Sequence, residues 1–580
     1  MKSERLVYHK SLTPVIYAAL LQSIIGGGIM FSIAFFLFPP ADADQYDFWY
    51  RLELGLDAVW ALVKTTFLIV FAIVLSPLAY AFSSTNVNWS VVFDPIQAET
   101  PRAALWFLCT AIPTFLVCRR VYRDTPAILS EQSIRGGMLK TGTDSGNFLR
   151  WKLGTKNEHE RGIEIAPGVP IDRRHEPAGF LALGEPGSGK TTLLNTIALQ
   201  ACERGDRVII HDTKGDVTER WPSSNFILLS PGDARSYAWD IATSLGNSES
   251  RMRALWSVMI KLKTSVGAPI WPLGAQEIGV GVTKGLYASF KTNWGFKELR
   301  DVCEMPAADF VAFATDHHPP ACAFLSLDEY GNFTKMAESF FATYTSANNQ
   351  VVRPLADAWG DLGPAHRFSV RSWLAGKNVD IPTLILQRDA SSPQVSEAWI
   401  STLLTDIINF CASPLLPDDP ERRIWFVLDE MKQLGHIEGL SQIREVGRTK
   451  GLCVAASLHN IAQLKEVYGD NADSLENLFG LKFAFRTPVG GSANYIVSLV
   501  EDETVSRSRP SNSAGDAQEP IISTVPPVTA TEVADLHADE HFVEGFAFHS
   551  GAACRLRWPV PKLPLQRKGR EPKPEADGED

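Results

Sequence analysis

The chain has 580 residues, 45% hydrophobic and 21% charged, with a formal net charge of −11. At ~150 residues per domain this length allows roughly three or four domains with ample core, and it excludes a globally disordered or wholly basic nucleic-acid-coating chain. The eight cysteines form no CxxC pair, which argues against a zinc ribbon, an iron–sulfur site and a secreted disulfide framework.

Residues 1–123 read as a membrane region. No charge falls between Ser11 and Ala41, and Val15 to Phe38 is almost wholly apolar. As a helix rising ~1.5 Å per residue, 15–38 reaches ~36 Å, enough to cross a ~30 Å hydrocarbon core. Pro39-Pro40 and the acidic residues beyond make a poor cleavage site, so a retained anchor is expected rather than a signal peptide. A second span is expected at 65–82 or at 103–118. Lys2, Arg5 and Lys10 precede this region and Arg119, Arg120 and Arg123 follow it. Asp42, Asp44, Asp47, Glu53 and Asp57 dominate the loop between. The positive-inside rule then places both ends of the region in the cytoplasm.

The soluble part opens with a glycine-punctuated linker and reaches its strongest motif after a short buried strand, Phe180 to Leu183. The next residues are Gly184-Glu185-Pro186-Gly187-Ser188-Gly189-Lys190-Thr191-Thr192, followed by a helix from Leu193 to Glu203. Strand, GxxxxGKT and helix together make a P-loop. The glycines let backbone N–H groups turn onto phosphate oxygens, and the helix N-terminus adds partial positive charge. Lys190 is expected on the β- and γ-phosphates and Thr191 on magnesium. Arg207 to Asp212 and Phe226 to Leu229 read as further strands, and Leu229 to Asp233 as a turn. Residues 124–247 thus form the first part of a motor domain.

Residues 248–357 read as helical, with segments at Arg253 to Leu262, Thr283 to Ser289 and Glu338 to Ser346, and form an all-α insert. Asp316-His317-His318 reads as a loop within it. The motor resumes over 358–564, with strands at Thr383 to Leu386, Ile424 to Leu428 and Gly451 to Leu458. The run Ile424 to Leu428 ends on Asp429-Glu430. An unbroken apolar run suits a parallel strand buried on both faces. Asp429 at its carboxyl end would hold magnesium through water, and Glu430 would act as general base on the attacking water. The alternation predicts a parallel α/β sheet with helices on both faces. His537-Ala538-Asp539-Glu540-His541 fits an HxxEH zinc pattern formally; the favoured reading is a turn before a strand at Phe542 to Phe548. Residues 565–580, basic and then acidic, read as a disordered tail.

These residues resemble the coupling proteins of type IV secretion and conjugation, of the TraD/TraG kind. The resemblance spans nearly the whole chain. It rests on the N-terminal anchor, GEPGSGKTT at 184–192, HDTKGD at 211–216, SPGDARSYAWDI at 230–241 and FSVRSWL at 368–374. VLDEMKQLGHIEGLSQIREVGRTKGL at 427–452 and AQLKEVYG at 462–469 extend it. It implies a RecA-like P-loop motor with an inserted all-α domain and a transmembrane N-terminal region. Such proteins form homohexameric ATPases of the bacterial inner membrane, multi-pass, with the motor in the cytoplasm and a central channel. ATP and Mg2+ are the implied cofactors. A relaxase with its single-stranded DNA and the secretion channel are the implied partners. Arg448 matches the arginine that enters a neighbouring subunit's ATP site, and His459 stands where the family usually has glutamine. Two alternatives stay open on residues alone. One is an FtsK/HerA-like DNA pump, although no winged-helix pattern follows the motor. The other is a receptor for protein cargo in which ATP serves assembly.

Overall fold

The computed structural model describes residues 120, 131–261, 270–377, 380–507 and 521–573. The expected spans at 15–38, 65–82 and 103–118 lie outside the described residues. Among the described residues no helix is long and apolar enough to cross a membrane. The chain divides into two units. In the first, Glu131–Arg135, Glu503–Arg507 and Ile521–Val525 form a three-stranded antiparallel sheet.

The second unit, Gly136–Asp502 with Pro526–Asp580, is built on a ten-stranded sheet. Its strands are β1 (Met138–Lys140), β2 (Phe180–Leu183), β3 (Arg207–Asp212), β4 (Phe226–Leu229), β5 (Thr383–Gln387), β6 (Ile424–Leu428), β7 (Leu452–Leu458), β8 (Leu481–Ala484), β9 (Phe542–His549) and β10 (Ala552–Pro559). They lie in the order β1-β10-β9-β8-β2-β7-β6-β3-β5-β4. From β8 to β4 every neighbouring pair is parallel. Both faces of these strands are buried, so their residues alternate between two cores instead of between core and water. In β6, Ile424, Phe426 and Leu428 face one core while Trp425 and Val427 face the other.

The helices include α1 (Lys190–Glu203), α2 (Glu249–Lys261), α3 (Ile270–Phe290), α4 (Pro393–Ala412) and α5 (Gln442–Lys450). Leu193, Leu194 and Ile197 of α1 cover one face of the sheet. Trp399, Leu403 and Ile407 of α4 join the core on the other.

The sheet departs from the wholly parallel expectation at one edge, where β9 runs antiparallel to β8 and to β10. The reason is the two-residue turn Ser550-Gly551, with φ of 49° and 74°. A turn this short can only reverse the chain, and positive φ at both positions suits the twist of a hairpin.

Between β4 and β5 the chain leaves the sheet. Ala238–Trp239 pairs in parallel with Arg367–Phe368, closing the base of an excursion made of α2, α3 and helices at Phe296–Cys303, Ala307–Asp316, Lys335–Ala347 and Arg353–Trp359. Helix α3 is packed closely by its neighbours. A Cβ added at Gly279 would lie 2.3 Å from the Trp256 ring of α2.

The tail expectation needs correcting. Residues up to 573 run as an ordered strap across the carboxyl ends of β3 and β5, and only 574–580 lie outside the described residues. The Gln387 side chain donates to the Gly569 carbonyl (2.7 Å), and Arg567 donates to the carbonyls of Thr218, Trp221 and Ser223. Arg570 pairs with Asp389 at 2.6 Å, and the Glu571 amide donates to Asp233. The basic residues that suggest a solvated tail are here spent on carbonyls and carboxylates, for which composition gives no signal.

Candidate nucleotide site

The P-loop follows β2, whose four residues are all buried. Gly184, Gly187 and Gly189 have φ of 158°, 74° and 105°, and Gly189 is the N-cap of α1. Gly189 is fixed by space as well as by conformation, because a Cβ there would come within 2.7 Å of the Val543 side chain. The first turn of α1 carries no acidic residue, and its N-terminus has no side-chain cap. Its leading amides, which no helix satisfies internally, thus have no side-chain cap from their own segment. The loop and the helix start together form an anion cradle.

Lys190 is buried at the floor of this cradle. Its ammonium donates to the carbonyls of Gly184 (2.8 Å) and Glu185 (2.9 Å) and reaches His459 Nδ1 at 3.1 Å. Burial pushes its pKa down to about 8, with the carboxylates of Asp429 and Glu430 pulling the other way. Thr191 Oγ1 donates to Asp429 Oδ2 at 2.8 Å. Glu185 is held at its side chain by Arg486, 2.5 Å away.

The acidic pair arrives from β6, which the strand order separates from β2 by β7 alone. All these strands end on the same edge of a parallel sheet, so the P-loop and the carboxylates meet there although they lie far apart in sequence. Glu430 adopts the left-handed conformation, φ 49° and ψ 53°. Gln433 donates to its Oε2, and its Oε1 lies 3.9 Å from His459 Nε2. His459 thus stands between Lys190 and Glu430. Thr191 Oγ1 and Asp429 Oδ2 are adjacent hard oxygen donors, the type magnesium takes.

Arg448 is not brought to this cluster. It lies exposed in the last turn of α5, which precedes β7, and so sits at the opposite edge of the sheet. There it contributes, after burial, to holding down the pKa of His175, which lies before the start of β2. Seven residues of β7 at ~3.3 Å each put it ~20 Å from its own chain's P-loop, beyond the reach of an arginine side chain. Among the described residues it makes no hydrogen bond or ion pair.

Three contributors have no role assigned from sequence, although two of them lie within HDTKGD at 211–216. His211 and Ser457 are the penultimate residues of β3 and β7, and both contact Asp429. Lys214, in the loop after β3, is close enough to depress Lys190 electrostatically. A polar residue at the carboxyl end of an otherwise apolar strand is the signal that could have found the first two.

A family model described as the type IV secretion-system coupling protein DNA-binding domain matches residues 163–536. The chain belongs to the type IV secretion-system coupling proteins. It is 25% identical over 414 residues to the coupling protein TraD of Escherichia coli (strain K12), an alignment covering 66% of this chain and 53% of TraD. The chain thus spans about half the length of that curated relative. The fold is similar to that of the bacterial conjugative coupling protein TrwB in its unbound form. There the TM-score is 0.63 at 20% identity, covering 76% of this chain and 96% of that one. TrwB in complex with ADP and Mg2+ gives a TM-score of 0.61 at 20% identity, over 76% and 98% of the two chains. The complex with the non-hydrolysable ATP analogue ADPNP gives 0.62 at 19%, over the same shares.

Proposed function

We propose that this coupling protein is an ATP-driven motor that recruits a relaxase with its single-stranded DNA and delivers it to a type IV secretion channel. The observation that carries the reading is the convergence of Lys190, Thr191, Asp429 and Glu430 at one edge of the sheet. Lys190 would leave the carbonyls of Gly184 and Glu185 for the β- and γ-phosphates, while the amides of the loop hold the remaining oxygens. Thr191 and Asp429 would hold Mg2+, which when bound neutralises charge on the phosphates. Glu430 Oε1, the oxygen not engaged by Gln433, would take the proton of the attacking water. His459 Nδ1 accepts from Lys190 and so carries its proton on Nε2, facing that carboxylate. The TrwB complexes support ATP and magnesium as the ligands.

The motor would be a RecA-like homohexamer, cytoplasmic and anchored in the bacterial inner membrane by the N-terminal region. The position of Arg448 supports a shared site. An arginine ~20 Å from its own P-loop serves hydrolysis only from a neighbouring subunit. Arg448→Ala is then expected to bind ATP nearly as the parent does and to lose ~10³-fold or more in turnover. Mixing it with Lys190→Ala protein should restore some activity, because one mixed interface pairs an intact P-loop with an intact arginine. Parental turnover by Arg448→Ala alone rejects the shared site.

A further inference from the structure

Glu430 is in the left-handed backbone conformation, which a residue with a Cβ adopts only at an energetic cost. It lies just past the end of β6, where the backbone ladder with the neighbouring strands has stopped. Two side chains from the flanking strands take the ladder's place, and the Asp429 side chain adds a weaker local contact, its Oδ1 accepting the Glu430 N–H at 3.1 Å. From β7, Ser457 Oγ accepts the Glu430 N–H at 2.9 Å and donates its own proton to Asp429 Oδ1. From β3, His211 Nδ1 lies 2.7 Å from the Asp429 backbone carbonyl. A carbonyl only accepts, so the ring's proton is on Nδ1. His211 is 1% exposed, and its Nε2 has no partner among the described residues, which leaves a neutral ring with its single N–H committed to that carbonyl. Both polar atoms of the peptide joining Asp429 to Glu430 are therefore held by side chains, the C=O from one side and the N–H from the other.

We propose that Ser457 and His211 are positioning residues for hydrolysis, clamping this peptide so that Glu430 stays left-handed and its carboxylate stays aimed at the attacking water. The proposal rests on the reading of Glu430 as the base. It does not require either side chain to touch nucleotide. Without Ser457, Asp429 keeps its contact with Thr191 and the P-loop keeps its own bonds. Nucleotide affinity should then persist while turnover falls. A catalytic group misplaced by ~1 Å loses on the order of 10²-fold in rate, which sets the scale.

The test compares ADPNP affinity and steady-state ATP hydrolysis in the full chain carrying Ser457→Ala, Ser457→Thr, His211→Leu, His211→Asn or Glu430→Gln. Ser457→Ala and His211→Leu should bind ADPNP within about threefold of the parent and lose ~10- to 100-fold in kcat. Threonine at 457 keeps the hydroxyl, and asparagine at 211 can present an N–H near the same place, so both should recover most of the rate. If Glu430→Gln is inactive while folded Ser457→Ala keeps the parental kcat, the clamp is wrong and the base reading stands. If Glu430→Gln itself turns over normally, the base reading falls and the clamp falls with it. A loss confined to ADPNP affinity, or one that threonine does not rescue, also overturns the proposal. Should His211→Leu fail to fold, the Ser457 pair decides alone.

Discussion

Lys190 offers a quantitative test of the nucleotide site, because its burial has a thermodynamic consequence on binding. The ammonium is held by carbonyls, and burial pushes its pKa down to about 8. Phosphate oxygens at the same ammonium favour the charged form and should return the pKa to ~10.5 or above. Nucleotide binding must then take up protons. With those two values the uptake is ~0.1 proton per nucleotide at pH 7, ~0.5 at pH 8 and ~0.9 at pH 9. By the same linkage, affinity should weaken ~10-fold between pH 7 and pH 9. Titration calorimetry with ADPNP at pH 8 and 9, in two buffers of different ionisation enthalpy, reads the uptake directly. Lys190→Arg is the control, since a guanidinium stays protonated throughout and should show no uptake. Zero uptake at pH 9 in the parent, with an affinity flat from pH 7 to 9, would refute both the depressed pKa and the ion pair with phosphate. Folding stability measured without added nucleotide should carry the matching sign. The unfolded chain keeps this proton to ~10.5 while the folded chain loses it near 8, so this group's destabilising effect is complete below pH 8 and is relieved as the pH rises through that window.

Other expectations come from single contacts. Gly189→Ala should lower ADPNP affinity at least tenfold, and Val543→Ala in the same chain should not restore it fully, because the φ of 105° stays unfavourable after the clash is removed. Truncation after Leu565 removes the strap's bonds to Gln387, Asp389 and Asp233 and the three carbonyl bonds of Arg567, and should cost about 3–6 kcal/mol at ~0.5–1 kcal/mol per bond, read as a shifted denaturation midpoint. An unchanged midpoint would mean the strap contributes nothing to stability. Asp44→Cys should react with an impermeant thiol reagent in intact cells if the acidic loop lies outside, whereas a cysteine near Met1 should not; the reverse pattern rejects the proposed topology.

The P-loop was legible in sequence because its chemistry is local. A strand, a run of glycines that must take positive φ, and a helix start are consecutive residues, and elementary sterics fixes what they do together. The acidic end of β6 was legible for a similar reason, since an unbroken apolar run closing on two carboxylates marks the carboxyl edge of a doubly buried strand. Tertiary structure alone decided which strands are neighbours. That order puts β3 and β7 on either side of β6, and so brings His211 and Ser457 to the peptide between Asp429 and Glu430. It also placed Arg448 at the far edge, since position on a parallel sheet depends on whether a residue precedes or follows its strand. The strap at 566–573 shows the same limit. Its arginines find carbonyls and carboxylates contributed by residues 181 to 349 positions away in the chain, and such partners are set by how the sheet closes, not by the composition of the segment itself.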